Sequence, residues 1–158
     1  MNTLTLLHLS ILVHIIGLTL AAGTTLNSYS LNRRFWQLYP ADRNKAVDML
    51  EGSAKMPFLI GLGMGLLILS GIGLMALTKG VYGEQIWFRI KFALFILVIV
   101  NGIIWRRLGN RQKKLLALSA ERNVQDELYK LKARLNLFYG SQLFLFLAIF
   151  ILGIFKFN

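Results

Sequence analysis

The chain has 158 residues, 56% hydrophobic and 16% charged, with no cysteine and a net charge of +11. That length holds one domain, 1–158, rather than two. Without cysteine there is no disulfide, iron–sulfur cluster, thiolate haem ligand or thiol nucleophile, and this much apolar residue excludes an ordinary soluble domain.

Four apolar stretches run through residues 4–26, 57–78, 86–105 and 135–155. Crossing a hydrocarbon core ~30 Å thick takes about 20 predominantly apolar residues. Lipid offers the backbone no partner, so each stretch must close its own hydrogen bonds as a helix. The expected fold class is all-α: a polytopic membrane four-helix bundle with helical cytoplasmic extensions, surrounded by the lipid bilayer.

The first stretch follows no lysine or arginine and is too long for a signal-peptide core, so it reads as a retained helix. At 100° per residue, Ser10, His14, Gly17, Ala21, Thr24 and Ser28 form one stripe along it. Small and hydroxyl residues mark faces where membrane helices approach closely. The stripe therefore turns His14 into the bundle. His8 is on another face, nearer the outer surface, at the headgroup boundary.

The connection 27–56 carries Arg33, Arg34, Arg43, Lys45 and Lys55. Pro40 is expected to open a short helix over 41–51, since proline suits a first helical turn, and Pro57 to start or kink the second span. That span holds Gly61, Gly63, Gly65, Gly71 and Gly73. Gly61 and Gly65 form a GxxxG face for close helix packing or homo-oligomer contact, and Gly65 is expected to touch another helix. Met64 and Met75 near that face read as core filling rather than metal ligands.

The third stretch has a shorter uncharged run, 92–105, so Lys91 falls within or at the edge of the hydrocarbon. Lys91 shares a stripe with Trp87, Phe95, Val98, Gly102 and Trp105, and Asn101 lies close to that face. Two readings stand. Lys91 snorkels outward beside Arg89 while Trp87 anchors that end, or it marks a site, as ionisable residues inside membrane helices do.

The connection 106–134 carries Arg106, Arg107, Arg111, Lys113, Lys114, Arg122, Lys130, Lys132 and Arg134. Leu115, Leu118, Leu128, Leu131 and Leu135 recur at helical spacing. The third and fourth helices should therefore run beyond the membrane and meet in a turn near 121–123, with the charged residues as a solvated face. The two connections hold 14 of the 18 basic residues. The positive-inside rule puts them in the cytoplasm and both termini outside, as in a multi-pass protein of a bacterial cytoplasmic (inner) membrane. The arginine pairs Arg33–Arg34 and Arg106–Arg107 abut helix ends, where they attract anionic lipid headgroups. No aromatic-interleaved basic motif points to nucleic acid.

Neutral imidazole ligates haem iron and carries protons, and four-helix bundles hold cofactors between facing helices. No aspartate or glutamate lies within an apolar stretch, whereas an ion-coupled transporter would normally need buried carboxylates.

Three segments carry a resemblance. They are His14-Ile15-Ile16-Gly17 followed by Ala22-Gly23, Trp87-Phe88-Arg89-Ile90-Lys91 opening the third span, and Arg134-Leu135-Asn136 opening the last, which ends in Phe155-Lys156. Together they resemble the HemJ-type, haem-b-binding protoporphyrinogen oxidases and their small four-helix relatives of the copper-resistance CopD and uncharacterised DUF2269 groups. The resemblance covers most of the chain through short motifs. It implies haem b on His14 as axial ligand, with Lys91 and Asn101 as candidate catalytic groups beside the haem or its substrate. In that reading His8, Arg33 and Arg106 are further cofactor-side candidates, and the cationic rim faces a porphyrin, quinone or anionic lipid. After the first helix the family has an arginine-and-histidine segment; residues 27–34 here hold arginines and no histidine. The implication therefore reaches haem binding further than protoporphyrinogen oxidation.

The leading expectation is an integral membrane haem-b protein with a redox or porphyrin-related role. The alternative is a non-enzymatic scaffold or accessory subunit, in which His14 only hydrogen-bonds across helices. A small-solute channel fits less well, since no polar stripe runs the full depth of several helices.

Overall fold

The computed structural model describes residues 2–119 and 123–155, apart from the Tyr82 side chain. Five α-helices and one short 3-10 turn account for nearly all of them, and no strand occurs among the described residues. In chain order they are α1 (Thr3–Leu38), α2 (Arg43–Gly52), α3 (Met56–Leu77), the 3-10 turn Val81–Glu84, α4 (Ile86–Leu118) and α5 (Gln125–Ile154). α1, α3, α4 and α5 are each long and apolar enough to cross a membrane.

The connection after the first span is shorter than expected. Residues 27–38 continue α1 without a break, so that helix is 36 residues long. Three more turns of Phe35, Trp36 and their neighbours find partners beyond the lipid, and a helix continues where its apolar face stays buried. α2 begins later than Pro40 implied. Asp42 is its N-cap, accepting a 3.0 Å hydrogen bond from the Lys45 backbone N–H; that side chain satisfies an otherwise orphaned donor and sets the boundary. Pro57 stands in the first turn of α3, as its missing N–H suits. The expected turn at 121–123 falls mostly on residues 120–122, outside the described residues; Asn123 accepts from the Gln125 N–H just before α5.

α3 ends in a Schellman arrangement. The Gly80 N–H reaches the Met75 carbonyl at 3.0 Å and the Lys79 N–H reaches Ala76 at 3.2 Å, with Lys79 at φ 52° and Gly80 at φ 75°. Left-handed residues at this position stop a helix while satisfying its last carbonyls. The 3-10 turn then carries the chain to α4 and touches both α3 and α4.

The helices form two intimate pairs, α1 with α3 and α4 with α5, with α1 also packing on α5 and on α2. The α1–α3 pair is closed by Gly17 and Gly63. A Cβ on Gly63 would sit 2.7 Å from the Ala21 backbone nitrogen and 2.9 Å from the Gly17 carbonyl oxygen, so neither helix has room for a side chain there. Gly61 and Gly65 do not make this contact. No atom lies within 4 Å of a Cβ built at either, and that face turns out of the bundle. The expected close approach at Gly65 is thus displaced to Gly63, because Gly63 shares the α3 face with Leu67 and Ser70, which α1 covers.

Two cores stack along the molecule. One, between the spans, gathers Ala21, Leu67, Val98, Phe146 and Ile149. The other lies at the basic end and gathers Phe35, Trp36, Ala46, Leu115, Leu116, Leu128, Leu131 and Leu135 from α1, α2, α4 and α5. The Arg43 guanidinium ties α2 down by donating to the Leu116 carbonyl at 3.0 Å. Outside the first core, large side chains such as Leu69, Ile72, Phe92, Phe144 and Phe150 are exposed. Such a belt suits hydrocarbon and not water.

Candidate functional site

The stripe on α1 faces inward. Gly17, Ala21, Thr24 and Ser28 are buried, and Ser10 and His14 are half-buried. His14 lies over α3 at Ser70 and Gly71, where a Cβ on Gly71 would make ordinary contact with the ring's Cε1 at 4.0 Å. Its Nδ1 is 2.9 Å from the Ser70 Oγ. The Ser70 hydroxyl donates its proton back along α3 to the Leu66 carbonyl. A hydroxyl has one proton to give; with that proton on Leu66, the ring contact is a hydrogen bond only in the tautomer whose Nδ1 carries the hydrogen. The Nε2 atom is then the one with the lone pair. A ring nitrogen fixed by a hydrogen bond on its other side is the usual form of a histidine metal ligand. Ser70 was missed in the sequence, although it is a lone hydroxyl in the apolar middle of α3.

Lys91 is half-buried and reaches toward α5; its Nζ would be 3.7 Å from a Cβ on Gly153. It is also the charged group that acts electrostatically on His14. α1, α3, α4 and α5 thus bring His14, Ser70, Lys91 and Gly153 to the same half of the bundle. Trp87, one turn before Lys91, is buried and donates its indole N–H to the Gln85 side chain. His8 is exposed, away from this group.

Asn101 is elsewhere. Ten residues along α4 from Lys91, it is separated by about 15 Å of helix rise. Its amide donates to the Gln142 Oε1 at 2.7 Å and to the Ser141 Oγ at 3.1 Å, clamping α4 to α5. Gln142 is buried and escaped the sequence reading, yet it and Asn136 are the two amides in the apolar stretch of α5.

At the basic end, Arg33, Arg34, Arg106 and Arg107 are all exposed. Arg33 lies over the Tyr29 ring at 5.9 Å. Two asparagines join α1 to α5 below them: Asn32 donates to the Asn136 Oδ1 at 3.3 Å and accepts from the Trp36 indole at 3.1 Å. The Trp105 indole donates to the Tyr139 hydroxyl at 3.0 Å. Gln112, set among the charged residues of the basic run, is buried. Its position on α4 turns it toward α1 and α2 while Arg111, Lys113 and Lys114 stay exposed.

Against family models, curated proteins and solved structures alike, the chain finds no match.

Proposed function

We propose that this multi-pass membrane protein holds haem b through His14 and has a redox or porphyrin-related role. The observation that carries the reading is the His14–Ser70 hydrogen bond: a ring that donates from Nδ1 keeps the Nε2 lone pair for iron. The residues fit one axial bond. A ligating histidine needs its tautomer and orientation held, and Ser70 holds both. Lys91, in the same half of the bundle, would meet a haem propionate or an anionic substrate. When bound, haem iron supplies one-electron chemistry. The role of this chain is to orient the ligand and exclude water from it. Asn101 serves by keeping α4 and α5 in register.

The basic end faces the cytoplasm of a bacterium in this reading, and both termini face outward. The cationic rim of Arg33 and Arg106 suits a porphyrin, quinone or other anionic partner, and the open Gly61/Gly65 face suits a second copy of the chain. A periplasm-active reporter fused after residue 158 tests the orientation; activity of a cytoplasm-only reporter there would reverse it.

A second reading has its own observation. His14 already has a partner on another helix, as a purely structural histidine would. In that case the protein is a scaffold or accessory subunit. The experiment is to purify the chain from haem-replete cells and titrate it with haem b. The proposal expects a saturable Soret band that His14→Ala removes or shifts and His8→Ala leaves in place. A colourless protein with no saturable spectral change would leave only the scaffold reading.

A further inference from the structure

A cavity of about 270 Å³ lies where the membrane bundle meets the helical cap at the basic end. It is remote from His14: Ser28, which lines it, is 14 residues further on, about 21 Å along α1. α1 and α4 form its walls, and the end of α2 and the start of α3 close over it. Much of the lining is apolar, including Phe35, Leu50 and Trp105.

Two polar groups in this lining have no partner. The Ser28 Oγ and the Gln112 Nε2 are buried without a hydrogen bond. Ser28 is 6% exposed and Gln112 4%. Buried polar atoms are almost always satisfied, so an orphaned donor beside a cavity needs an acceptor. Arg106 and Lys113 line the same cavity, and among the described residues no carboxylate does. The site therefore offers an amide N–H, a hydroxyl and two cations to whatever enters, which selects an oxygen-rich anion. The apolar walls select a molecule with a hydrocarbon part. The depth selects its source: Arg106 stands where the apolar run of α4 ends, the level of lipid headgroups.

We propose that this cavity is a binding site for the phosphate headgroup of an anionic phospholipid, with Gln112 and Ser28 hydrogen-bonding the phosphate oxygens and Arg106 and Lys113 neutralising its charge. The cavity admits one headgroup; the acyl chains lie outside, along the exposed apolar belt. This site works whether or not His14 holds haem.

The test uses the full chain, stripped of lipid in neutral detergent and reconstituted in phosphatidylcholine nanodiscs with increasing phosphatidylglycerol. Native mass spectrometry counts the retained phosphatidylglycerol. One saturable molecule per chain is expected. The Arg106→Gln, Lys113→Gln pair should weaken its retention roughly tenfold or more, as loss of charge-assisted hydrogen bonds does. The Arg107→Gln, Lys114→Gln pair removes equal charge at the same depth from residues outside the lining, and should change retention little. Gln112→Leu should weaken retention without changing the net charge. Equal loss in both double variants would mean a diffuse surface potential and overturn the site. So would an absence of saturable phosphatidylglycerol. If inorganic phosphate alone competes at millimolar concentration as well as the lipid does, the ligand is free phosphate and the lipid assignment fails.

Discussion

His14 and Ser70 are joined across the α1–α3 interface at 2.9 Å, and the serine's second bond, to Leu66 of its own helix, favours the ring Nδ1 as the donor. Removing the hydroxyl should therefore do more than remove a bond. Ser70→Ala leaves Nδ1–H without an acceptor and frees the ring to change tautomer. If His14 is an axial ligand, haem affinity should drop about 10–100-fold, the usual effect of losing a partner behind a metal ligand. Ser70→Thr keeps the hydroxyl and should retain most of that affinity. A haem titration followed at the Soret band reads both. An unchanged isotherm for Ser70→Ala would separate the hydrogen bond from haem binding.

The glycine contact between α1 and α3 has an asymmetric consequence. A Cβ at Gly63 meets backbone atoms of Ala21 and Gly17 at 2.7 and 2.9 Å, and backbone cannot rotate aside. Gly63→Ala should destabilise the bundle by about 1–3 kcal/mol, the range for overpacking. Gly65→Ala meets nothing within 4 Å and should be neutral, or stabilising by up to ~1 kcal/mol through helix propensity. Thermal unfolding in detergent distinguishes them. Equal melting temperatures for the two variants would show that α1 and α3 are not held at this distance.

Most of the architecture was legible in the residues. Length of apolar run and scarcity of charge mark a membrane helix so strongly that all four long apolar helices were found, and the stripe from Ser10 to Ser28 pointed His14 the right way. What failed was finer. The extent of α1 depended on Phe35 and Trp36 finding a core formed by α2, α4 and α5, a tertiary fact with no local signal. Choosing Gly65 over Gly63 followed a motif, whereas the true face is set by which residues lie under α1. Gln112 drew no reading of its own among the charged Arg111, Lys113 and Lys114, although one residue of rotation on a helix separates surface from interior. Ser70, a single polar residue in its apolar helix, and Gln142, deep in another, were visible in the sequence; their partners could be named only from the packing.

Asn101 and Gln142 form a polar clamp inside the bundle, 2.7 Å apart. Side-chain hydrogen bonds in membrane proteins contribute less than their burial suggests, averaging ~0.6 kcal/mol and reaching about 1.7. A double-mutant cycle with Asn101→Leu and Gln142→Leu should give a coupling energy in that range. Haem titration of Asn101→Leu should be nearly unchanged, since the clamp is about 15 Å from Lys91 along α4. Loss of the Soret band with intact folding would place Asn101 at the cofactor instead.

The unpartnered amide of Gln112 is open to a test by stability alone. A buried donor left without an acceptor costs about 1–3 kcal/mol, and replacing it by an apolar group of similar size removes that cost. Gln112→Leu should therefore raise the melting temperature of lipid-stripped protein in neutral detergent, since its side chain is 4% exposed and its Nε2 has no partner. With saturating phosphatidylglycerol the order should reverse. The wild-type amide then has its acceptor, and the bound lipid adds stability by mass action that leucine cannot gain. The sign of the difference is thus expected to change with lipid, which neither a simple packing improvement nor a simple packing defect produces. Differential scanning fluorimetry of the two proteins, with and without the lipid, measures it. If Gln112→Leu is less stable in both conditions, the amide has a structural partner, and the cavity loses its strongest claim to a ligand.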